Sequence, residues 1–281
     1  MKIFSDWHIH THNSCDEACL LIPTLIKKAR EKGIEKFGIT DHLHTIQQMP
    51  DIEASRREYL EYKTDNFHFG IEVSCMTLQV IELAKQEQEI SSDWREKSNK
   101  NAELAIALTE DDIDRLGIEY VIGGTHWPIG VPFEREALIR NYHRQNIFLA
   151  NHPLVSIVAH PWWFHSGYWK ENCPQYQPWF DDFTVIPKSM HDEFASAVIE
   201  NNKLVEINLS AMLLHPRYPE KFKKQYLEYL AELKSQGVKF AIGSDCHNGR
   251  YDIDFRKSEQ MLDSVGIDEN DICNEQSFIR K

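Results

Sequence analysis

Val155-Ser156-Ile157-Val158-Ala159-His160 is a run of mostly β-branched and small apolar residues that ends in a histidine. A parallel strand buried on both faces reads this way when its carboxyl end opens into a site, because neither face meets water until the strand stops. The same shape recurs along the chain. Asp6-Trp7-His8-Ile9-His10, Ile39-Thr40-Asp41-His42, Phe69-Gly70-Ile71-Glu72, Gly124-Thr125-His126, Glu206-Ile207-Asn208 and Gly243-Ser244-Asp245-Cys246-His247 each bring a potential metal ligand to the end of a short segment. Six of these seven segments pass from apolar, β-prone residues into the polar group. Together they predict one polynuclear metal site assembled from most of the chain.

Strand patterns over 3–10, 37–40, 68–73, 120–125, 155–160, 204–208 and 239–244 alternate with helical patterns over 23–32, 52–62, 78–89, 102–116, 134–150, 190–201, 219–236 and 255–265. The first helix shows the signal: Pro23 opens it, Leu25, Ile26 and Ala29 share a face, and Gly33 ends it. Seven strands with helical crossovers predict an α/β fold, a closed or nearly closed barrel. No repeat, low-complexity tract or linker interrupts the alternation, so a single domain over 1–281 is expected. An insertion at about 162–188 stands apart, with Trp162, Trp163, Phe164, Tyr168, Trp169, Tyr176, Trp179, Phe180 and Phe183 in quick succession. Following His160 directly, it reads either as a lid or pocket wall, with Trp162 against the substrate, or as a packed insertion or dimer contact.

Composition bounds the function. A chain of 281 residues, 42% hydrophobic and 27% charged, can bury a large core and reads as soluble and globular. No apolar run approaches the ~18 residues of a membrane span, and Met1-Lys2-Ile3-Phe4-Ser5-Asp6 is not a secretory leader, so a cytoplasmic protein is expected. The six cysteines are scattered without a CxxC pair, which predicts free thiols. A net charge of -13 argues against a nucleic-acid groove. The densest basic stretch, Lys221-Phe222-Lys223-Lys224, sits among Glu220, Glu228 and Glu232 as a solvated helix face.

The chemistry rests on spacing. His8 and His10 are two residues apart, so on a strand both imidazoles point to one face and can grip one ion; Asp245 and His247 repeat the arrangement. His42, Glu72, His126 and His160 each hold the same relative place in their own strand, and a barrel brings such places to one mouth. His44, His68, His143, His152, His165, His191 and His215 lack that placement and read as ordinary.

On these residues the chain resembles the PHP (polymerase and histidinol phosphatase) family, and within it the stand-alone histidinol-phosphatase type. The likeness runs from His8 to His247. It implies a distorted (β/α)7 barrel, like the TIM barrel in layout, with two or three divalent ions, zinc, manganese or iron. It implies His8, His10, Glu72 and Asp245 on one ion, with Glu72 bridging to a second held by His126 and His160. A third would be held by His42, His247 and Asp16, the last standing where the family has a histidine. Members usually carry an arginine shortly after the Glu-Ile-Asn strand; here Leu213 stands at about that place, with Arg217 and Lys170 as the nearest substitutes.

Two ions sharing a carboxylate can bridge a hydroxide and aim it at phosphorus or at a carbonyl. The expected function is therefore a metal-dependent phosphoesterase of a small phosphomonoester. Asp245 and His247 would serve the leaving group beside bridging Glu72, and Asn208, Arg217 and Trp162 would contact substrate. The same hydroxide on an ester, amide or lactone is the alternative, which predicts an apolar mouth without a nearby cation. A non-catalytic metal-binding protein of the same fold would need lost ligands.

Overall fold

The structure, a computed structural model, describes residues 1–86, 90, 94–164 and 178–280. Its strands are β1 (Ser5–Asp6), β2 (Lys36–Ile39), β3 (His42–Leu43), β4 (Phe67–Ser74), β5 (Met76–Thr77), β6 (Leu104–Ala105), β7 (Tyr120–Gly124), β8 (Ile157–Ala159), β9 (Leu204–Asn208) and β10 (Phe240–Gly243). The main sheet runs β1-β2-β4-β7-β8-β9-β10 with every neighbouring pair parallel, and β3 pairs with the end of β4. The two edges meet. Trp7 N–H donates to Ile242 O at 2.9 Å, Asp245 N–H to His8 O at 2.7 Å and His10 N–H to Cys246 O at 3.1 Å. Seven strands thus nearly close into a barrel, the architecture the alternating pattern predicts.

The first predicted strand, 3–10, is regular only at Ser5–Asp6. Beyond it the chain stays bonded on both sides: Thr40 N–H, just after β2, donates to Ile9 O at 2.8 Å, and Ile9 stands opposite Cys246 after the last strand. Asp6 ties that seam: its carboxylate accepts from Ser244 N–H at 2.7 Å and from Tyr251 Oη–H at 2.6 Å.

Helices fill the crossovers: α1 (Ile22–Lys32), α2 (Met49–Tyr62), α3 (Leu78–Lys85), α4 (Trp94–Lys97), α5 (Glu110–Leu116), α6 (Arg135–Asn151), α7 (Lys188–Glu200), α8 (Glu220–Ser235) and α9 (Phe255–Asp263). The α1 boundaries follow the predicted signals, with Pro23 in its first turn and Gly33 closing it at φ 75°. The predicted helix over 102–116 is corrected. Leu104–Ala105 pairs antiparallel with Met76–Thr77, and the helix starts only after Thr109, whose hydroxyl and Asp112 form a reciprocal cap. Residues 87–89 of the predicted helix 78–89 lie outside the described residues.

Inside the barrel Trp7, Tyr120, Ile122, Ile157, Leu204 and Ala241 pack together with Phe278. Tyr120 spans this cluster and donates its hydroxyl to Trp7 O at 2.9 Å. The floor of the site is therefore apolar and filled. The described cysteines are free thiols, and no helix among the described residues is long and apolar enough to cross a membrane.

Candidate metal centre

Glu72, at 0% exposure near the end of β4, is the hub. Its Oε1 lies 3.1 Å from His126 Nε2 and 3.0 Å from His160 Nε2. Its Oε2 lies 3.0 Å from His8 Nε2, 3.4 Å from His10 Nε2 and 3.0 Å from His42 Nδ1. One carboxylate thus divides its two oxygens between two sets of imidazoles. Asp245 reaches the second set, with Oδ1 3.3 Å from His10 Nε2 and 3.6 Å from His8 Nε2. Asp16 Oδ2 lies 3.3 Å from His42 Nε2 and 2.5 Å from His247 Nε2, nearer the mouth. Each of the nine residues singled out as ligands stands in this one cluster.

Whether the cluster suits cations can be tested on its protons. His8 Nδ1 lies 2.6 Å from Glu206 Oε1, a carboxylate that can only accept, so His8 carries its proton on Nδ1. His247 Nδ1 likewise faces Asp245 O at 3.0 Å. With that single proton, each histidine would turn a bare Nε2 lone pair inward, where it meets an anionic oxygen, on Glu72 and on Asp16. His8 Nε2 and His10 Nε2 also stand 3.0 Å apart. Lone pairs and carboxylates converging this closely repel unless a cation or extra protons lie between them. Donor atoms from His10, Asp16, His42 and His247, from His8, His10 and Glu72, and from His42, Glu72 and His126 each lie within 4.8 Å of one another. The residues fit divalent ions, and His160 Nε2, 3.0 Å from Glu72 Oε1, offers a further nitrogen to the same centre.

Burial and charge agree with that reading. Burial alone would raise the Glu72 carboxyl, but His8, His42 and His126 outweigh it and hold the group well below the carboxylate range. Burial opposes the same effect at Asp245, where His8 prevails and the carboxyl is again held low. Asp245 is thus set to accept and not to donate. Its Oδ2 takes a hydrogen bond from Asn208 Nδ2 at 3.0 Å.

The backbone is shaped for this. His160 has φ 26° and Asp245 φ 54°, left-handed conformations that non-glycine residues hold only where the surroundings impose them. At His160 the imposing contacts are visible: its N–H donates to Glu206 Oε2 at 2.7 Å, and the following carbonyls are stapled by side chains. Pro161 O accepts from Tyr226, Trp162 O from Trp179 and Phe164 O from Tyr218. A Cβ on Gly243 would strike Glu206 Oε1 and the His8 side chain, so only glycine lets the two approach.

A cavity of about 470 Å³ opens above the hub. It is lined by Asp16, His42, Glu72, His126, His160, Asp245 and His247, and also by His44, Trp127 and Trp163. The substrate contacts expected from the sequence are placed differently. Trp162 is 1% exposed and packs against Trp179 and His191, away from the cavity, because the turn after His160 buries it and presents Trp163 instead. Asn208 is fully engaged, donating to Glu206 and Asp245 and accepting from Ala211 N–H, so it positions Asp245 and does not face the cavity. Arg217 is exposed and lies outside the cavity lining. Lys170, with Tyr168, Trp169 and Tyr176, lies outside the described residues. Of the described residues of the aromatic insertion, Trp162, Phe164, Trp179, Phe180 and Phe183 are core residues and Trp163 lines the cavity.

Glu206 and Ser74 are not among the residues expected from the sequence, and His44, read there as ordinary, lines the cavity; a signal for each is present all the same. Glu206 is two residues from Asn208, Ser74 two from Glu72 and His44 two from His42. The period-two argument that pairs His8 with His10 applies to all of them.

A nearly closed parallel barrel with a histidine and carboxylate metal-donor cluster at the carboxyl ends of its strands is the class this fold and site define. The chain belongs to the PHP family, whose PHP domain model matches residues 6–210. It is similar to the crystal structure of histidinol phosphate phosphatase from Lactococcus lactis subsp. lactis Il1403, complexed with zinc, L-histidinol and phosphate: TM-score 0.63, 17% identity, 100% of both chains covered. It is also similar to a candidate histidinol phosphatase from Listeria monocytogenes, with TM-score 0.56 and 14% identity over 87% of this chain and 95% of that one. These likenesses show a shared fold. A protein of Acetivibrio thermocellus described as a "probable phosphatase" is 25% identical over 266 residues, 93% of this chain and 88% of its own length.

Proposed function

We propose that this protein is a metal-dependent phosphoesterase that hydrolyses a small phosphomonoester. The observation that carries the reading is Glu72, whose two oxygens face separate imidazole sets. The phosphatase relatives support the choice of phosphorus over carbon as the electrophile. His126 and His160 would hold one divalent ion with Glu72 Oε1, and His8, His10 and Asp245 a second with Oε2. Asp16, His42 and His247 would hold a third. Bound there, zinc, manganese or iron supplies a nucleophilic water near neutral pH and neutralises charge on the phosphoryl oxygens.

The chain's own residues do the rest. Glu206 fixes the His8 proton on Nδ1 and, through the His160 N–H, the approach of His160. Asn208 orients Asp245. His247, 38% exposed, stands at the rim where a leaving group departs. The cavity volume suits a metabolite-sized substrate.

One observation favours a second reading, a hydrolase of a carbonyl compound. Among the described residues lining the cavity there is no lysine or arginine, and Trp127 and Trp163 form apolar walls. The deciding experiment measures metal per chain together with hydrolysis of p-nitrophenyl phosphate and p-nitrophenyl acetate, before and after chelation and repletion with manganese or zinc. Two or more ions with chelator-sensitive phosphate release is the expected result. Esterase activity alone selects the second reading, and no metal under any repletion overturns both.

A further inference from the structure

The cavity contains a side chain that the proposed ligand sets do not use. His44 lines it beside Trp127, with ring centroids 5.0 Å apart, and next to His42 at 4.6 Å. Its Nδ1 lies 2.7 Å from Ser74 Oγ, and the same oxygen lies 2.6 Å from His126 Nδ1. A hydroxyl has one proton, so Ser74 can donate to one of these nitrogens and must accept from the other.

The direction follows from the metal centre. His126 points Nε2 at Glu72 Oε1, and to hold an ion that nitrogen must be bare. The His126 proton then sits on Nδ1 and is donated to Ser74, Ser74 donates to His44 Nδ1, and the His44 proton is left on Nε2. That nitrogen has no hydrogen-bond partner among the described residues and is not one of the buried unpartnered atoms, so it is open to the cavity.

We propose that His44 is a substrate-binding and specificity-determining residue, oriented by the Ser74 relay so that its Nε2–H donates to a phosphoryl oxygen. It supplies a directed donor in a wall without lysine or arginine among its described residues. The dependence on ligand protonation also couples the two sites: a filled metal centre sets the tautomer that reads the substrate. This inference rests on the phosphoesterase reading.

The test compares the metal-loaded wild type with H44F, which keeps a ring of similar size without the N–H, and H44Q, which keeps an N–H. Inorganic phosphate is the probe, measured by calorimetry and as a competitive inhibitor of p-nitrophenyl phosphate hydrolysis, with metal content determined for each protein. H44F should bind phosphate about tenfold to a hundredfold more weakly, the scale of a hydrogen bond to a charged group. H44Q should stay within about threefold, given the retained donor, and metal content should be the same in all. Imidazole nitrogen shifts of the zinc-loaded protein should show His44 as the Nε2–H tautomer. Equal phosphate affinity in H44F, loss of metal in either variant, or an Nδ1–H tautomer overturns the inference. If the wild type neither binds phosphate nor hydrolyses the ester, the phosphoesterase reading has failed instead.

Discussion

Glu206 lies one layer beneath the cavity and touches none of the substrate, yet two of the proposed ligands depend on it. Its Oε1 accepts from His8 Nδ1 and its Oε2 from the His160 N–H and Asn208 Nδ2. Changing Glu206 to Gln puts an amide N–H against one of these donors and releases the His8 proton to either nitrogen. Metal affinity should fall about tenfold to a hundredfold, the usual cost of losing such an outer partner, with the fold retained by circular dichroism. Unchanged affinity in a competitive metal titration would sink the positioning role. At this scale the sequence is unevenly informative. The nine clustered donors were legible because each stands where a strand pattern stops. Glu206, Ser74 and His44 were not, because their value lies in the side chain across from them, and Trp163 faces the cavity in place of the expected Trp162 because of a turn at φ 70°.

Helix α7 packs His191 at 6% exposure against Phe183, Tyr229 and Trp162, with Lys188, Asp192, Glu232 and His143 nearby. Burial pushes its imidazole down to about 4, assisted by His143 and Lys188 and opposed by Glu232 and Asp192. A histidine whose native value lies below its unfolded one contributes stability that is present above about pH 6.5 and lost as pH falls towards the native value, because the unfolded chain takes the proton first. Between about pH 7.5 and pH 5 that loss is on the order of 2 kcal/mol. Urea unfolding across this range should show a shallower pH dependence in H191F than in the wild type by about that amount, and parallel curves would show that His191 titrates normally. Boundaries of elements were legible where a cap marks them, as at Gly33 closing α1. The helix expected over 102–116 failed because apolar spacing cannot distinguish a helical turn from a short strand until Thr109 and Asp112 form the cap.

For the whole molecule, the metal centre joins the two ends of the chain. His8 and His10 follow β1, Asp245 and His247 follow β10, and the seam between those strands holds few ladder hydrogen bonds. Ions held across it bind only the folded barrel, so they stabilise it by mass action, by about 2.7 kcal/mol at a hundredfold excess over Kd. Chelation should lower Tm by roughly 5–10 °C for a chain of this size, with recovery on adding manganese or zinc. A melting curve indifferent to chelator would mean that the donors relax without ions and that the centre plays no part in closing the barrel.

What the sequence alone determined was the kind of molecule: buried strands ending in histidines and carboxylates, helical crossovers between them, and the residues that a barrel gathers into one cluster. Hydrophobic period and residue type are local properties, and a parallel barrel converts equivalent local positions into one site without further information. Only the tertiary structure decided how those residues are held and what surrounds them. The division of Glu72 between two imidazole sets, the proton relay through Ser74, and the exchange of Trp162 for Trp163 at the wall all depend on distances between segments far apart in the chain. Such distances are set by barrel closure and by packing against α7 and α8, and no stretch of sequence contains them by itself.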